Sequence, residues 1–301
     1  METIVIDMPP EDIKLIAIDI DGTLLTPEKE IAPATIEVIQ TARKEGIVVT
    51  LATARRYLNT APIADALGID IPLILCDGSL IMQHPRTTVL YTNAMKAELA
   101  QQCVNLLAQH SMQPIVHRMN GVIEEMWTGP EENDNQWLEM YFAAFPENFY
   151  RAPVAELCVG QPDPLRVVVF DSEEAVYGLV PEVSALPCSW NAIRRGNYGS
   201  AELAMLAPDC SKASGLAALA HYLHIPLSQV MAIGDNNNDL EMLQAAGWGV
   251  AMGHAPDVIK EAADAVTTTN TEDGVARAIA HYALRRATIA DSNSFNRETC
   301  L

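Results

Sequence analysis

Two aspartates stand one residue apart at the end of the first apolar run of the sequence. In the stretch LIAIDIDGTLLT, Asp19 and Asp21 follow the run from Leu15 to Ile18. Ionised carboxylates this close repel each other unless a cation or a proton compensates. A carboxylate can also act as a nucleophile or carry a proton during catalysis. The pair is therefore a candidate catalytic or metal-binding site, although Asp-Gly-Thr after a strand is also ordinary turn chemistry.

A second acidic cluster follows a later apolar run. Asp235 and Asp239 lie in GDNNND, directly after VMAI. In an open parallel sheet, ligands bind outside the carboxyl ends of the strands, so both clusters would face one crevice. Several carboxylates there need a cation, and oxygen ligands suit a hard ion such as Mg2+. We therefore predict a metal site; the alternative is that the polar residues only cap a helix, as Asn237 or Asn238 could.

Two further positions suit phosphate binding. Lys212 follows Ser211, a candidate helix N-cap, so its cation would lie in the first helical turn and oppose the macrodipole. A bound phosphate would explain that position, although surface lysines also occur there by chance. Thr53 begins TAR after another apolar run, where its hydroxyl and nearby backbone N–H groups could hold phosphate oxygens. An ordinary helix cap is the alternative interpretation of Thr53.

Strands and helices alternate in the two parts of the chain that carry these residues. From Lys14 to about Asp70, and again from about Ser200, where AELAML begins, short apolar runs are separated by helical stretches. This pattern predicts β-α-β units with a parallel sheet covered on both faces. The predicted fold class is α/β, with a doubly wound, mostly parallel Rossmann-like core formed by residues 1–82 and 196–301.

The middle of the chain has a different pattern. A hairpin around Pro85, a helix over 97–109 and a second hairpin turned at Asn120-Gly121 indicate antiparallel strands. The strand LRVVVF and a helix over 173–183 follow. Residues 83–195 are therefore predicted to form an inserted α+β domain, of a size typical of an independent unit.

Composition excludes several classes of protein. The 301 residues include 19 Lys and Arg against 39 Asp and Glu, a net charge of −20, which argues against nucleic-acid binding. Neither a signal peptide nor an apolar stretch of about 18 residues is present, so we expect no membrane partner. The six cysteines are scattered, which fits reduced thiols in the cytoplasm. The sequence contains no P-loop, dinucleotide fingerprint or Gly-x-Ser-x-Gly elbow.

Taken together, the motifs resemble the haloacid dehalogenase superfamily, and most of all its Cof-type phosphatases, which carry a large α/β cap of type C2. The resemblance rests on DIDGTLL (19–25), LATAR (51–55), Lys212 in APDCSKASGL, GDNNNDLEML (234–243) and GVAMGHA (249–255). It implies a Mg2+-dependent phosphatase in which Asp19 is the nucleophile, forming an aspartyl-phosphate, and Asp21 is the general acid and base. The metal ligands implied are Asp19, the carbonyl of Asp21 and Asp235.

The resemblance also assigns the phosphate-binding groups. They would be Thr53, Lys212, backbone N–H groups near Ile20 and Ala54, and the amide of Asn238. Asp239 would fix Lys212 or a metal-bound water. The chain departs from the family pattern at three positions: Ala54 replaces a common glycine, Asp77 replaces a common asparagine and adds negative charge near an anion site, and His254 replaces a frequent asparagine.

The expected substrate is a small phosphorylated metabolite: a sugar phosphate, a nucleotide or a cofactor phosphate. The inserted domain would close over the site, with Arg118, Arg194 and Arg195 as candidate contacts. Two alternatives stay open, a phosphomutase of the same superfamily and a phosphometabolite-binding regulator without turnover. We expect a monomer or a small homo-oligomer.

Overall fold

A computed structural model describes residues 8–9, 11–195 and 200–285. Its strands are β1 (Leu15–Ile18), β2 (Val48–Leu51), β3 (Pro72–Leu75), β4 (Leu80–Gln83), β5 (Thr88–Thr92), β6 (Ile115–Asn120), β7 (Ile123–Thr128), β8 (Phe149–Arg151), β9 (Arg166–Asp171), β10 (Ser189–Arg195), β11 (Ser200–Leu206), β12 (Val230–Gly234), β13 (Trp248–Ala251) and β14 (Ala265–Val266). Its α-helices are α1 (Pro33–Lys44), α2 (Tyr57–Leu67), α3 (Ala97–Gln109), α4 (Gln136–Ala144), α5 (Glu173–Val183), α6 (Lys212–Tyr222), α7 (Leu240–Ala245), α8 (Asp257–Ala262) and α9 (Gly274–Ala278).

The first sheet is parallel and has the order β14-β13-β12-β1-β2. Strand β1, which lies between β12 and β2, has only buried residues, LIAI, because apolar layers cover both faces of the sheet. A single parallel bridge between Ala52 and Ile74 connects β2 with β3, which also forms an antiparallel sheet with β4 and β5. The predicted α/β core and the hairpin around Pro85 are both confirmed.

The second sheet has six strands in the order β10-β11-β9-β6-β7-β8 and is antiparallel except between β7 and β8. Helices α3 and α5 pack their apolar residues against one face, and α4 packs Leu138 and Phe142 against the other. The predicted hairpin at Asn120-Gly121 and the helices over 97–109 and 173–183 are confirmed. We call this unit the cap.

The stretch AELAML lies in the cap sheet, so the prediction that it returns to the first sheet is wrong. It forms most of β11, which pairs antiparallel with both β9 and β10. All residues of β11 are buried, and apart from Ser200 and Glu202 they are apolar, so its sequence is similar to that of a strand in a parallel sheet. Strand β5 lies outside the cap sheet. We therefore propose residues 93–206 as the inserted domain, in place of 83–195.

None of the helices in the described part of the chain has the length and apolar character needed to cross a bilayer.

The part of the fold relevant to the site is a parallel sheet whose strands β1 and β12 are neighbours, with the cap inserted between β5 and α6.

Candidate active site

The carboxyl ends of β1 and β12 bring the two acidic clusters together. The N–H of Asp19 donates to the carbonyl of Ile233 at 3.0 Å, and Thr23 Oγ1 donates to Asp235 Oδ1 at 2.6 Å. Gly22 makes this approach possible: its φ is +92°, and a Cβ there would lie 2.5 Å from Asp235 Oδ2. The turn in the DGT stretch therefore also brings the first acidic cluster against the second.

A buried ammonium group lies among the carboxylates. Lys212 Nζ donates to Asp19 Oδ1 at 2.5 Å and to Asp239 Oδ1 at 2.7 Å. The other oxygen of Asp239 accepts the N–H groups of Asp235 and Asn236, both at 3.0 Å. The position of Asp239 therefore fits the expectation that it fixes Lys212.

Helix-capping contacts fix the positions of Lys212 and Asp239. Ser211 is the N-cap of α6, as predicted, so Lys212 is the first helical residue. In the GDNNND stretch, the capping residue is Asn236, not Asn237 or Asn238, and Asp239 completes a capping box with it. Capping and an acidic site thus occur in the same loop.

Burial and like charge shift the titration of this cluster. Burial, followed by repulsion from Asp239, raises the pKa of Asp19 well above its usual value, and Lys212 only partly offsets this. Burial also raises the pKa of Asp239, with a further contribution from Asp235. For Lys212, burial alone would lower the pKa, but Asp19 and Asp239 together raise it. The ammonium is therefore held charged between two carboxylates.

The carboxylates fit a divalent cation. Oxygen atoms of Asp19, Asp235 and Asp239 lie within 4.8 Å of one another, and all three side chains are buried. Three buried carboxylates face one lysine, so the set carries excess negative charge that a hard cation would neutralise. Oxygen-only donors of this kind suit Mg2+.

The predicted phosphate-binding residues Ile20, Thr53, Ala54 and Asn238 lie on the loops that follow β1, β2 and β12. Thr53 is buried beyond the end of β2, and its hydroxyl accepts the N–H of Arg55 at 3.1 Å within a turn; it does not cap α2, whose N-cap is Arg56. Ala54 is half-buried beside it, and Ile20 is buried between the two aspartates. The amide of Asn238 donates to Asp77 Oδ1 at 3.2 Å, so in this structure it is engaged with a carboxylate.

Asp21 is exposed and bonded to an arginine. Arg55 Nε and Nη2 donate to its two oxygens at 2.7 and 2.6 Å. In the sequence, Arg55 stands out only as part of TAR. Its role as the partner of Asp21 had no sequence signal, because the two residues lie on different strand-to-helix loops.

The negative charge of Asp77 is compensated by cap residues. Arg166 Nη1 lies 3.0 Å from Asp77 Oδ2, and Asn191 Nδ2 donates to Oδ1 at 2.9 Å. Asp77 therefore joins the core to cap strands β9 and β10. Arg166 was not among the predicted site residues, because it lies inside the apolar strand LRVVVF and no local pattern marks it.

Two of the three arginines expected to contact substrate have their partners within the cap. Arg118 donates to Leu157 and Gln161 and stacks on Trp127. Arg194 is exposed and pairs with Glu173 on the surface. The side chain of Arg195 lies outside the described part.

His254 Nε2 lies 3.8 Å from Asp235 Oδ2, and that carboxylate raises the pKa of His254.

Comparison with known proteins agrees with this geometry. The family model for haloacid dehalogenase-like hydrolases matches residues 16–279. Pyridoxal phosphate phosphatase YbhA of Escherichia coli is 29% identical over 276 residues, which cover 88% of this chain and 97% of that protein. The 5-amino-6-(5-phospho-D-ribitylamino)uracil phosphatase YcsE of Bacillus subtilis is 31% identical, with 91% and 97% covered.

Solved structures give the same result. The subclass IIB sugar phosphatase BT4131 superposes with a TM-score of 0.75 at 25% identity, covering 89% of this chain and 98% of that chain. The matches include both the parallel sheet and the cap. The chain therefore belongs to the haloacid dehalogenase-like hydrolase family, as a phosphoric monoester hydrolase of the Cof-type subclass.

Proposed function

We propose that this phosphatase hydrolyses a small phosphorylated metabolite through an aspartyl-phosphate on Asp19, with Mg2+ as cofactor. The observation that carries the proposal is the contact of Lys212 Nζ with Asp19 beside Asp235, at the ends of adjacent parallel strands. A pure binding protein would need the cations but not a carboxylate nucleophile. The metal would be held by Asp19, Asp235 and the backbone carbonyl of Asp21.

The chemistry assigns a different task to each carboxylate. An oxygen of Asp19 attacks phosphorus, the bond from phosphorus to the leaving oxygen breaks, and Asp21 gives its proton to that oxygen. Water then attacks the aspartyl-phosphate, Asp21 takes up a proton from it, and inorganic phosphate leaves as Asp19 is regenerated. When bound, Mg2+ supplies positive charge that reduces the repulsion between two anionic reactants.

The phosphate-binding groups supply the remaining charge compensation. Lys212 would hold non-transferring oxygens while keeping Asp19 oriented, with Thr53, Asn238 and the N–H groups near Ile20 and Ala54 contributing hydrogen bonds. Because both oxygens of Asp21 accept from Arg55 in this structure, proton transfer by Asp21 requires Arg55 to release it. We expect Arg55 to release Asp21 when the substrate binds at the mouth of the site.

The substrate class follows the relatives named above. Pyridoxal phosphate, a ribityl phosphate of an aminouracil and a sugar phosphate are all small phosphate monoesters. We propose that the substrate of this chain is of the same kind, a sugar, nucleotide or cofactor phosphate. A phosphomutase would instead return an isomer with little free phosphate.

Phosphate release from phenyl phosphate, with Mg2+ or with EDTA, tests the proposal. Wild-type protein should release phosphate only with Mg2+, and Asp19→Asn should lower kcat by about three orders of magnitude or more. Asp257→Asn, on the exposed side of α8, is the matched control and should retain wild-type activity. Undiminished turnover by Asp19→Asn would refute the nucleophile, and a wild-type protein inactive on a broad panel of phosphate esters would refute the phosphatase.

A further inference from the structure

Arg56 is a buried guanidinium with unused hydrogen-bond donors. It directly precedes α2, and its side chain is 1% exposed. Its Nε, Nη1 and Nη2 atoms have no hydrogen-bond partner among the residues described. Its guanidinium carbon lies 5.8 Å from the centre of the Phe145 ring of the cap. A buried charged group without hydrogen bonds is unfavourable by itself, so its retention points to a partner that comes from outside the chain.

The neighbouring carboxylate is already engaged by other groups. Glu124, on cap strand β7, accepts the N–H of Tyr57 at 3.2 Å and the thiol of Cys76 at 3.1 Å. Arg56 is close enough to contribute to lowering the pKa of Glu124, yet it forms no hydrogen bond with it. Glu124 therefore balances part of the charge of Arg56 without using its donors.

His117 offers a complementary atom beside Arg56. It is completely buried on β6, its Nδ1 lies 3.5 Å from Glu124 Oε1, and its Nε2 has no partner in the described structure. Burial and the charge of Arg166 lower the pKa of His117 to about 4, so the ring is neutral. With its proton on Nδ1, toward the carboxylate, Nε2 is left as a hydrogen-bond acceptor.

A metal ion is a poor fit for this place. Ligand atoms of Cys76, His117 and Glu124 lie within 4.8 Å of one another. However, the positive charges of Arg56 and Arg166 both act on His117, and burial raises the pKa of the Cys76 thiol well above its usual value. A protonated thiol does not bind metal, which leaves only His117 and Glu124 as ligands, fewer than a closed metal site needs.

Arg56 lies close to the proposed reaction centre along the chain. The preceding residue, Arg55, bonds Asp21 through its side chain, and its carbonyl accepts the N–H of Cys76 at 3.0 Å. Arg56 itself lies against the cap at Phe145 and Glu124. It is thus adjacent in sequence to the partner of the proposed proton donor, on the side where the cap covers the core.

We propose that Arg56 recognises the leaving group of the substrate by donating hydrogen bonds to an oxygen acceptor on it, while His117 Nε2 accepts from a neighbouring donor. This inference rests on the proposed phosphatase function and deepens it. Three carboxylates (Asp77, Glu124 and Glu202) and two guanidiniums (Arg56 and Arg166) interact in this interface, a net charge of −1. The preferred acceptor is therefore neutral, such as an amide or ring carbonyl, and not a carboxylate.

Matched aryl phosphates test this specificity with Mg2+-loaded protein. Phenyl phosphate has no acceptor on the ring, 3- and 4-carbamoylphenyl phosphates carry a neutral amide, and 4-carboxyphenyl phosphate carries an anion. The measured quantity is the ratio of kcat/KM for each substituted ester to that for phenyl phosphate. Comparing this ratio between variants cancels the different acidities of the leaving groups.

For one of the carbamoyl esters at least, Arg56→Gln should lower the ratio about tenfold or more, and Arg56→Lys should lower it less. Arg151→Gln is the matched control, because Arg151 also lies over a phenylalanine of the cap but has its partners in Asp134 and Gly129. It should keep the wild-type ratio. Titration calorimetry with 4-carbamoylbenzylphosphonate against benzylphosphonate should show the same loss of relative affinity in Arg56→Gln.

The outcomes separate the two proposals. If no ester is hydrolysed by wild-type protein, the phosphatase proposal fails, while the phosphonate titration still tests Arg56. If the esters are hydrolysed and both Arg56 variants keep the wild-type ratios, the recognition role is overturned and the function stands. A preference for the carboxylate ester that Arg56→Gln removes would overturn the neutral acceptor.

Discussion

The ammonium of Lys212 donates a 2.5 Å hydrogen bond to Asp19 across a separation of 193 residues in sequence. Removing this cation would leave the buried carboxylates of Asp19 and Asp239 without their shared partner. We expect Lys212→Met to lower the free energy of unfolding by about 3–5 kcal/mol in EDTA. Urea denaturation measures this, and Lys260→Met, which removes only a half-exposed lysine 3.9 Å from Asp257, should change it by less than about 1 kcal/mol. Equal midpoints for Lys212→Met and wild type would contradict the importance of the buried pair.

Mg2+ should stabilise the protein, because the acidic cluster carries excess negative charge that the ion relieves. At a Mg2+ concentration 100 times its Kd, the gain in the free energy of unfolding is about 2.7 kcal/mol. The melting temperature should therefore rise with Mg2+ in wild type and much less in Asp19→Asn. Thermal scans with Mg2+ and with EDTA measure this. An identical rise in both proteins would show that the ion binds elsewhere.

His117 should make stability depend on pH in the acidic range. Its pKa is lowered to about 4 in the folded state and is about 6.5 when unfolded, so between these values the unfolded chain binds more protons. Stability therefore falls as pH decreases from about 6.5 to 4, and this contribution is absent at higher pH. His117→Gln should reduce the slope by up to about 1.4 kcal/mol per pH unit. Urea titrations at several pH values that give parallel curves for both proteins would disprove this assignment.

Asp77 and Arg166 should be strongly coupled, because both are buried and 3.0 Å apart at the contact between core and cap. A double-mutant cycle with Asp77→Asn and Arg166→Met should give an interaction energy of about 1–3 kcal/mol. The matched surface cycle, Asp70→Asn with Arg43→Met, concerns a more exposed pair and should give less than about 1 kcal/mol. Similar energies in the two cycles would show that Asp77 does not tie the cap to the core.

Local sequence predicts the parts of the site that lie at strand ends. Asp19 and Asp235 each follow a short apolar run, and the pairing of β1 with β12 brings them together as the parallel sheet requires. Lys212 was predictable from the capping signal of Ser211. These features depend on periodicity and caps, which span only a few residues.

Contacts between distant segments could not be predicted in this way. Arg166 lies 89 residues from Asp77, and its strand is otherwise apolar, so nothing nearby indicates a buried ion pair. The assignment of β11 failed for a related reason: apart from Ser200 and Glu202, this strand in the middle of an antiparallel sheet with helices on its faces is as apolar as a parallel strand. Arg56 and His117 likewise become candidates only because their side chains are buried, which the local sequence does not indicate.

The connection of residues 207–211 between β11 and α6 acts as a short tether. Five residues extend over at most about 18 Å, so β11 cannot move far from the first turn of α6. Cys210 Sγ also contacts the carbonyl of Asp77, which keeps the tether on the core. An insertion or deletion in this segment would displace the lysine that contacts Asp19. A change in the length of this segment would therefore alter the position of β11 relative to Lys212, so the sequence of the tether is constrained by both the cap and the proposed reaction centre.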